Sequence, residues 1–179
     1  MATTLHLIGG QGGSSFHFHG MDNGATLKKI GVAVEGSQVK AVRAELTDGK
    51  VATFGDENTF NEFEFNLGER ITKLSLWDNG AGTRLGAIKF TTSENRQFFE
   101  KTTSWPLITE YTVDVGSGIC LVLEGRSGLA VERMGFLFIN PIKSSVLTNM
   151  EYANLSLFKP QVSSFIDVCR RLRKTLPML

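Results

Sequence analysis

Between Thr4 and Ile139, apolar and polar positions alternate with a period of two, the spacing of a strand with one buried face. Ser15-Phe16-His17-Phe18-His19 and Asn61-Glu62-Phe63-Glu64-Phe65-Asn66 show it most plainly. Further strands are predicted at 30–35, 39–46, 71–77, 85–90, 111–115, 119–123 and 134–139, with shorter ones at 5–8, 51–54 and 97–99. Gly, Asn or Asp punctuates most of the gaps, as tight turns require. No window before residue 160 keeps apolar residues at i, i+3, i+4 and i+7, so a helical reading fails there. The pattern predicts an all-β fold of about a dozen short strands.

A weak internal repeat organises these strands. Three segments share the plan strand, glycine loop, strand: 30–46 around Gly36, 71–90 around Gly80 and 119–139 around Gly125. The glycines recur every 44 to 45 residues, enough for four short strands with their turns. Three such units predict a threefold, closed β body, and closure removes exposed edges that invite aggregation.

The pattern changes after Pro141. Residues 141–160 lose the alternation, and 163–176 read as a short helix with Phe165, Cys169, Leu172 and Leu176 on one face. Arg170, Arg171, Arg173 and Lys174 cluster beside that face, and with Asp167 they give 161–179 a net +3 within a chain whose total is +1. The expected division is a β domain over 1–142 and a C-terminal extension over 143–179.

Composition sharpens this picture in a few places. The chain holds 19 Gly against 4 Pro, which suits tight turns between strands. A near-neutral charge and a sequence pI of about 7.8 argue against a nucleic-acid binder. No apolar run is long enough for a membrane-spanning helix. The N-terminus lacks the basic and apolar regions of a signal peptide, so the expected location is cytoplasmic, or extracellular by unconventional release. Cys120 and Cys169 do not make a disulfide framework and are expected as free thiols.

Catalytic chemistry finds little support. No Gly-x-Ser-x-Gly, Cys-x-x-Cys, His-Glu-x-x-His or P-loop pattern occurs, and no nucleophile–base pair is visible. His17 and His19 point the same way on one strand, but a metal site needs a third ligand that no nearby Cys or His offers. Gly9-Gly10-Gln11-Gly12-Gly13 leads into a strand, so it lacks the helix N-terminus of a phosphate cradle. Neither enzymatic activity, cofactor nor metal is expected. Glycine loops on a rigid sheet body can instead present backbone N–H groups to a neutral polar ligand such as a sugar. The loop Gly128-Leu129-Ala130-Val131-Glu132 adds one carboxylate to such a set.

Several of these segments together resemble a known family. They are 9–16, Asp22-Asn23-Gly24-Ala25, the run from Trp77 to Phe90, Asp114-Val-Gly-Ser-Gly118, the run from Gly125 to Phe136, and the exit segment 140–149. In order and spacing they look like a jacalin-related lectin domain, most similar to the N-terminal lectin module of natterin-like, aerolysin-like proteins of fish. The resemblance implies a β-prism of three four-stranded Greek-key sheets with pseudo-threefold symmetry. It also implies metal-free binding of mannose-type glycans, such as those on cell or microbial surfaces. Carried onto this chain, the family's site falls on Gly12, Gly13, Gly128, Leu129, Ala130 and Glu132. The implied roles are backbone donors at Gly13, Leu129 and Ala130, and a bidentate acceptor in an exposed loop at position 132. The Gly36-Ser37-Gln38 loop, with Gln38, would form a third wall.

Two departures from the family pattern matter. Glu132 stands where Asp is usual, which carries the carboxylate about 1.5 Å further from the backbone, one carbon–carbon bond. The second-repeat loop, Gly80-Ala-Gly-Thr-Arg84, has Arg where a carboxylate is needed, so no second sugar site is expected there. Residues 143–179 do not show the amphipathic strands of a pore-forming module, so membrane insertion by this chain alone is not expected. A lectin with one weak site would gain avidity from a homodimer. The alternative reading is a sugar-inert prism that binds a partner, or dimerises, through its basic tail.

Overall fold

The computed structural model describes residues 2–57 and 59–141 of the chain. The helix expected at 163–176, and the whole extension 143–179, lie outside the described residues. Those described form twelve strands and no helix. They are β1 (Ile8–Gly9), β2 (Ser14–His19), β3 (Leu27–Glu35), β4 (Gln38–Leu46), β5 (Val51–Gly55), β6 (Asn61–Glu64), β7 (Ile71–Asp78), β8 (Leu85–Thr92), β9 (Gln97–Lys101), β10 (Glu110–Val113), β11 (Cys120–Ser127) and β12 (Val131–Phe138).

Every predicted segment meets one of these strands. The poorest match is 5–8, where the ladder to β12 forms only at Ile8 and Gly9. The chain pairs again just beyond β12, where Ala2 bridges Ile139. Between those anchors the segment crosses Gly135 without making a regular ladder.

The strands assemble into three four-stranded antiparallel sheets, ordered β5-β4-β3-β6, β10-β7-β8-β9 and β1-β12-β11-β2. Each is the same Greek key: a central hairpin, a third strand beside its second arm, and a fourth beside its first. In the third sheet the hairpin is β11–β12, and the flanking strands β1 and β2 come from the start of the chain. This circular arrangement closes the threefold body and explains why the sequence shows only three hairpin repeats before Pro141.

The repeat needs one correction. Gly36 and Gly80 lie in the first two hairpin connections, but Gly125 lies inside β11, opposite Phe16 and Met134. A Cβ there would come within 2.7 Å of the Phe16 ring, so glycine at 125 makes room for an aromatic side chain on the neighbouring strand. The third hairpin connection is at 128–130, and its glycine is Gly128.

Alternation sends one face of each sheet inward. Ile30, Val32, Leu46, Leu76, Leu85, Ile88, Phe90, Leu123, Met134, Phe136 and Phe138 are essentially inaccessible to solvent. The core is rich in phenylalanine. Phe90 stacks on Phe98 and Phe65, with ring centroids 5.1 and 5.6 Å away, and meets Phe63 edge-on at 5.0 Å.

Cys120 opens β11 and is buried, which pushes its thiol up to about 12. The unfolded thiol ionises lower, near 9.0. The folded state therefore keeps a proton that the unfolded chain releases. That contribution to stability is complete below the lower value and is lost as pH rises toward the higher one. A Cys169→Ser protein treated with a thiol-reactive disulfide at about pH 8 is expected to react only in denaturant. Prompt reaction of the native protein would mean that β11 opens readily.

Candidate functional site

The three hairpin connections meet at one end of the prism. The β3–β4 connection carries Gly36 and leads into Gln38 at the start of β4, the β7–β8 connection ends at Arg84, and the β11–β12 connection carries Gly128 and leads into Glu132 near the start of β12. The β1–β2 loop adds Gly12 and Gly13. Backbone pairing fixes this last loop: Gly10 N–H donates to Glu132 O at 2.7 Å, and β1 pairs with β12 directly before it.

Glycine is required at position 13, and the other loop glycines lie close to the same carboxylate. Gly13 has φ +64°, and a Cβ there would lie 2.5 Å from the Ser127 carbonyl. A Cβ on Gly12 would lie 3.0 Å from the Glu132 carboxylate. A Cβ on Gly128 would fall 3.7 Å from Gly13 Cα and 3.9 Å from Glu132 Oε1. The sequence-predicted residues Gly12, Gly13, Gly128 and Glu132 therefore share one small cleft. Leu129 forms its exposed rim and Ala130 is buried beneath it.

Arg126 holds the glycine loop in place. Its Nε donates to Gly12 O at 2.8 Å, a second nitrogen donates to Gly13 O, and its Nη1 donates to Ser15 Oγ at 3.0 Å. On the far side of the loop, Arg133 Nη1 donates to Gln11 Oε1 at 2.9 Å. With the Gly12 and Gly13 carbonyls engaged, the loop's free capacity is in its N–H groups. Among the described residues, the backbone N–H groups of Gly13, Leu129 and Ala130 have no acceptor, whereas that of Gly128 donates to Ala130 O at 3.0 Å.

Glu132 is not in an exposed loop. Strand β12 begins at Val131, earlier than the alternation suggested, and the Glu132 side chain is only 7% exposed. Such a burial needs a partner, and Arg84 supplies it. Arg84 Nη1 donates to Glu132 Oε2, and its Nε donates to Gln38 Oε1 at 3.0 Å. One guanidinium thus ties the second hairpin connection to the first and third, and brings Gln38 into the same cluster. Arg84 itself stays 35% exposed, so water shares its solvation. Both carboxylate oxygens lie close to Gly12, and the remaining one, Oε1, also borders Gly128 and takes no hydrogen bond among the described residues.

The reach of Arg84 and Arg126 escaped the sequence reading. In the sequence Arg84 stands out only as unsuited to a second site. Arg126 would have stood out from strand pairing, because it lies opposite Ser15 in the β11–β2 ladder. That pairing joins residues more than a hundred positions apart, and local periodicity cannot supply it.

Other candidates fall elsewhere. His17 Nδ1 lies 2.8 Å from Glu124 Oε2, its ring is 4.8 Å from that of His19, and His19 Nδ1 accepts from Met21 N–H. No group of three potential metal ligands gathers among the described residues. A cavity of about 620 Å³ opens at the opposite end of the prism, where β3 begins, between Thr26–Lys28, Phe65–Ile71 and Gly118–Cys120. It contains none of the predicted site residues.

The family model described as a jacalin-like lectin domain matches residues 5–137. A lamprey immune protein is similar in structure, at 60% identity and a TM-score of 0.77; the match covers 79% of this chain and 45% of that one. The chain therefore spans less than half the length of that protein. A Malaysian banana lectin is 20% identical, with a TM-score of 0.60, 77% of this chain and 99% of that one covered. Artocarpin, solved as a mannotriose complex, is 14% identical, with a TM-score of 0.59 and coverage of 76% and 98%. At those identities the last two share the fold. No curated protein sequence matches the chain.

Proposed function

This chain belongs to the jacalin-like lectin domain family, and from that premise we propose that it binds mannose-type glycans in the cleft of Gly12, Gly13, Gly128, Leu129, Ala130 and Glu132. The observation that carries the reading is the set of unpaired groups gathered there: the N–H groups of Gly13, Leu129 and Ala130, and the Oε1 acceptor of Glu132. A sugar presents hydroxyls that both donate and accept, and such a set answers both needs. The artocarpin structure was solved with mannotriose, which supports mannose as the first ligand to try. Binding needs no metal and no bond-making step, so the function is recognition rather than catalysis. The biological ligand would be a glycan on a cell or microbial surface.

Arg84 modifies the family picture. With Oε2 held by Arg84, Glu132 accepts through Oε1 alone, rather than as the bidentate acceptor the resemblance implies. The charge-assisted bond to Arg84 orients the carboxylate at the cost of one acceptor.

The same ion pair favours the second reading, a sugar-inert prism whose partners are held elsewhere. A glycan array separates the two. Enrichment of mannose-terminated glycans is expected, and a blank array would favour the inert module. Arg84→Ala adds a finer check. Freeing Oε2 restores a second acceptor, so methyl α-mannoside is expected to bind several-fold more tightly, of the order of 1 kcal/mol. Unchanged or weaker binding would show that Arg84 supports the sugar rather than competing with it.

A further inference from the structure

We propose that Trp105 forms a second subsite, a platform for the next pyranose ring of an oligosaccharide whose first unit occupies the Glu132 cleft. The proposal rests on the carbohydrate reading above and extends it to a residue that neither the sequence pattern nor the family resemblance singled out.

Trp105 is 61% exposed, although tryptophan is usually well buried. Its ring contacts no other aromatic ring or cation among the described residues, and its indole N–H has no acceptor there. The neighbouring backbone is nonetheless well held. Thr103 and Ser104 N–H both donate to Gly36 O, at 3.0 and 3.1 Å, and Thr102 N–H donates to Gly86 O at 2.9 Å. The Thr102 hydroxyl donates to Trp105 O at 3.1 Å, closing the turn on itself. An exposed indole on an anchored turn is what a binding surface requires, because little conformational freedom is left to lose.

Its location selects the ligand. Gly36 lies in the connection that leads into Gln38, and Arg84 joins Gln38 to Glu132. The Trp105 turn is thus continuous with the wall of the cleft. Ile108, 72% exposed in the β9–β10 segment, lies beside Gly80, which shares a connection with Arg84, and extends the apolar surface. A pyranose ring has one face of C–H groups and a rim of hydroxyls. An indole meets the first with its ring and the second with its N–H. Thr103 and Ser104 precede the indole in the chain, and the cleft it adjoins is lined by Gln38, Arg84 and Glu132, which favours a hydrated sugar over a lipid surface.

The test compares methyl α-mannoside with mannotriose, by titration calorimetry on the whole chain. The starting protein is expected to bind mannotriose more tightly than the monosaccharide. Trp105→Ala should lose about tenfold in mannotriose affinity, as a central aromatic anchor does, and leave methyl α-mannoside unchanged. Trp105→Phe should keep part of the gain. Tryptophan emission should shift to the blue with mannotriose in the starting protein and not in Trp105→Ala, since Trp77 is already buried. If both sugars bind Trp105→Ala as they bind the starting protein, the subsite is wrong while the cleft stands. If neither sugar binds the starting protein, the carbohydrate reading fails first. Trp105-dependent binding to neutral phosphatidylcholine vesicles without sugar dependence would assign the indole to lipid and overturn the proposal.

Discussion

Glu132→Ala is expected to abolish mannoside binding and to lower the thermal midpoint by several degrees. The binding loss follows from Oε1, the charged acceptor the cleft offers to a sugar hydroxyl. A hydrogen bond to a charged group contributes about 1.5–3 kcal/mol, so one such bond is at least a tenfold loss and takes a millimolar site out of range. The stability loss comes from the other oxygen. Removing Oε2 leaves Arg84 with Gln38 and water in place of a buried carboxylate. Because Arg84 is partly exposed, the cost is about 1–3 kcal/mol rather than that of a fully buried orphan charge. Each kcal/mol moves the midpoint of a chain this size by about 2–4 °C. Glu132→Asp is expected to bind at least as well as the starting protein, because it restores the residue usual in the family and shortens the side chain's reach to Arg84. A Glu132→Ala protein that still binds mannosides would remove Glu132 from the site. One that melts at the starting temperature would mean that the Arg84 contact carries no stability.

Phe90→Ala carries the largest expected stability effect. Phe90 is 2% exposed and sits among Phe63, Phe65 and Phe98, where the β6 and β8–β9 faces meet. Truncating a buried phenylalanine costs about 3–5 kcal/mol, through lost burial and the cavity left behind. A fall in the midpoint of roughly 10 °C is expected, measured by calorimetry or circular dichroism. Phe99→Ala is the control. Phe99 neighbours Phe98 in sequence but is 38% exposed, on the opposite face of β9 beneath Lys89 and Lys101. Its truncation should cost less than about 1 kcal/mol. Equal losses at 90 and 99 would mean that β9 is registered one residue out, since a single slip exchanges the two faces.

The contrast between Phe98 and Phe99 shows why the strands could be read from the sequence. Alternation is a local signal, and each strand needs only a few residues to declare its buried face. The hairpin repeats at Gly36 and Gly80 were legible for the same reason. Gly125 misled because glycine marks both turns and close approaches, and the Phe16 ring that requires it belongs to a strand more than a hundred residues away.

The site was legible in its parts and illegible in its wiring. Gly12, Gly13, Gly128 and Glu132 stand out through glycine spacing and the family resemblance, and the fold gathers them. That Glu132 is buried, and held by Arg84 from another sheet, depends on side chains crossing between hairpins. No spacing rule encodes that. Arg84 was visible only as a residue that did not fit, and the misfit marked the contact.

The central claim is that a sugar occupies the cleft between the β1–β2 loop and the β11–β12 connection. The most direct measurement is a titration of the isotopically labelled protein with methyl α-mannoside, followed by amide proton–nitrogen correlation spectra. The account predicts saturable shifts at the amides of Gly13, Leu129 and Ala130, which lack acceptors in the free protein, and at neighbouring Gly12 and Gly128. Saturation is expected near millimolar sugar, about −4 kcal/mol. Saturable shifts confined to the opposite end, around Thr26–Lys28 and Gly118–Cys120, or an unchanged spectrum well beyond that concentration, would contradict it.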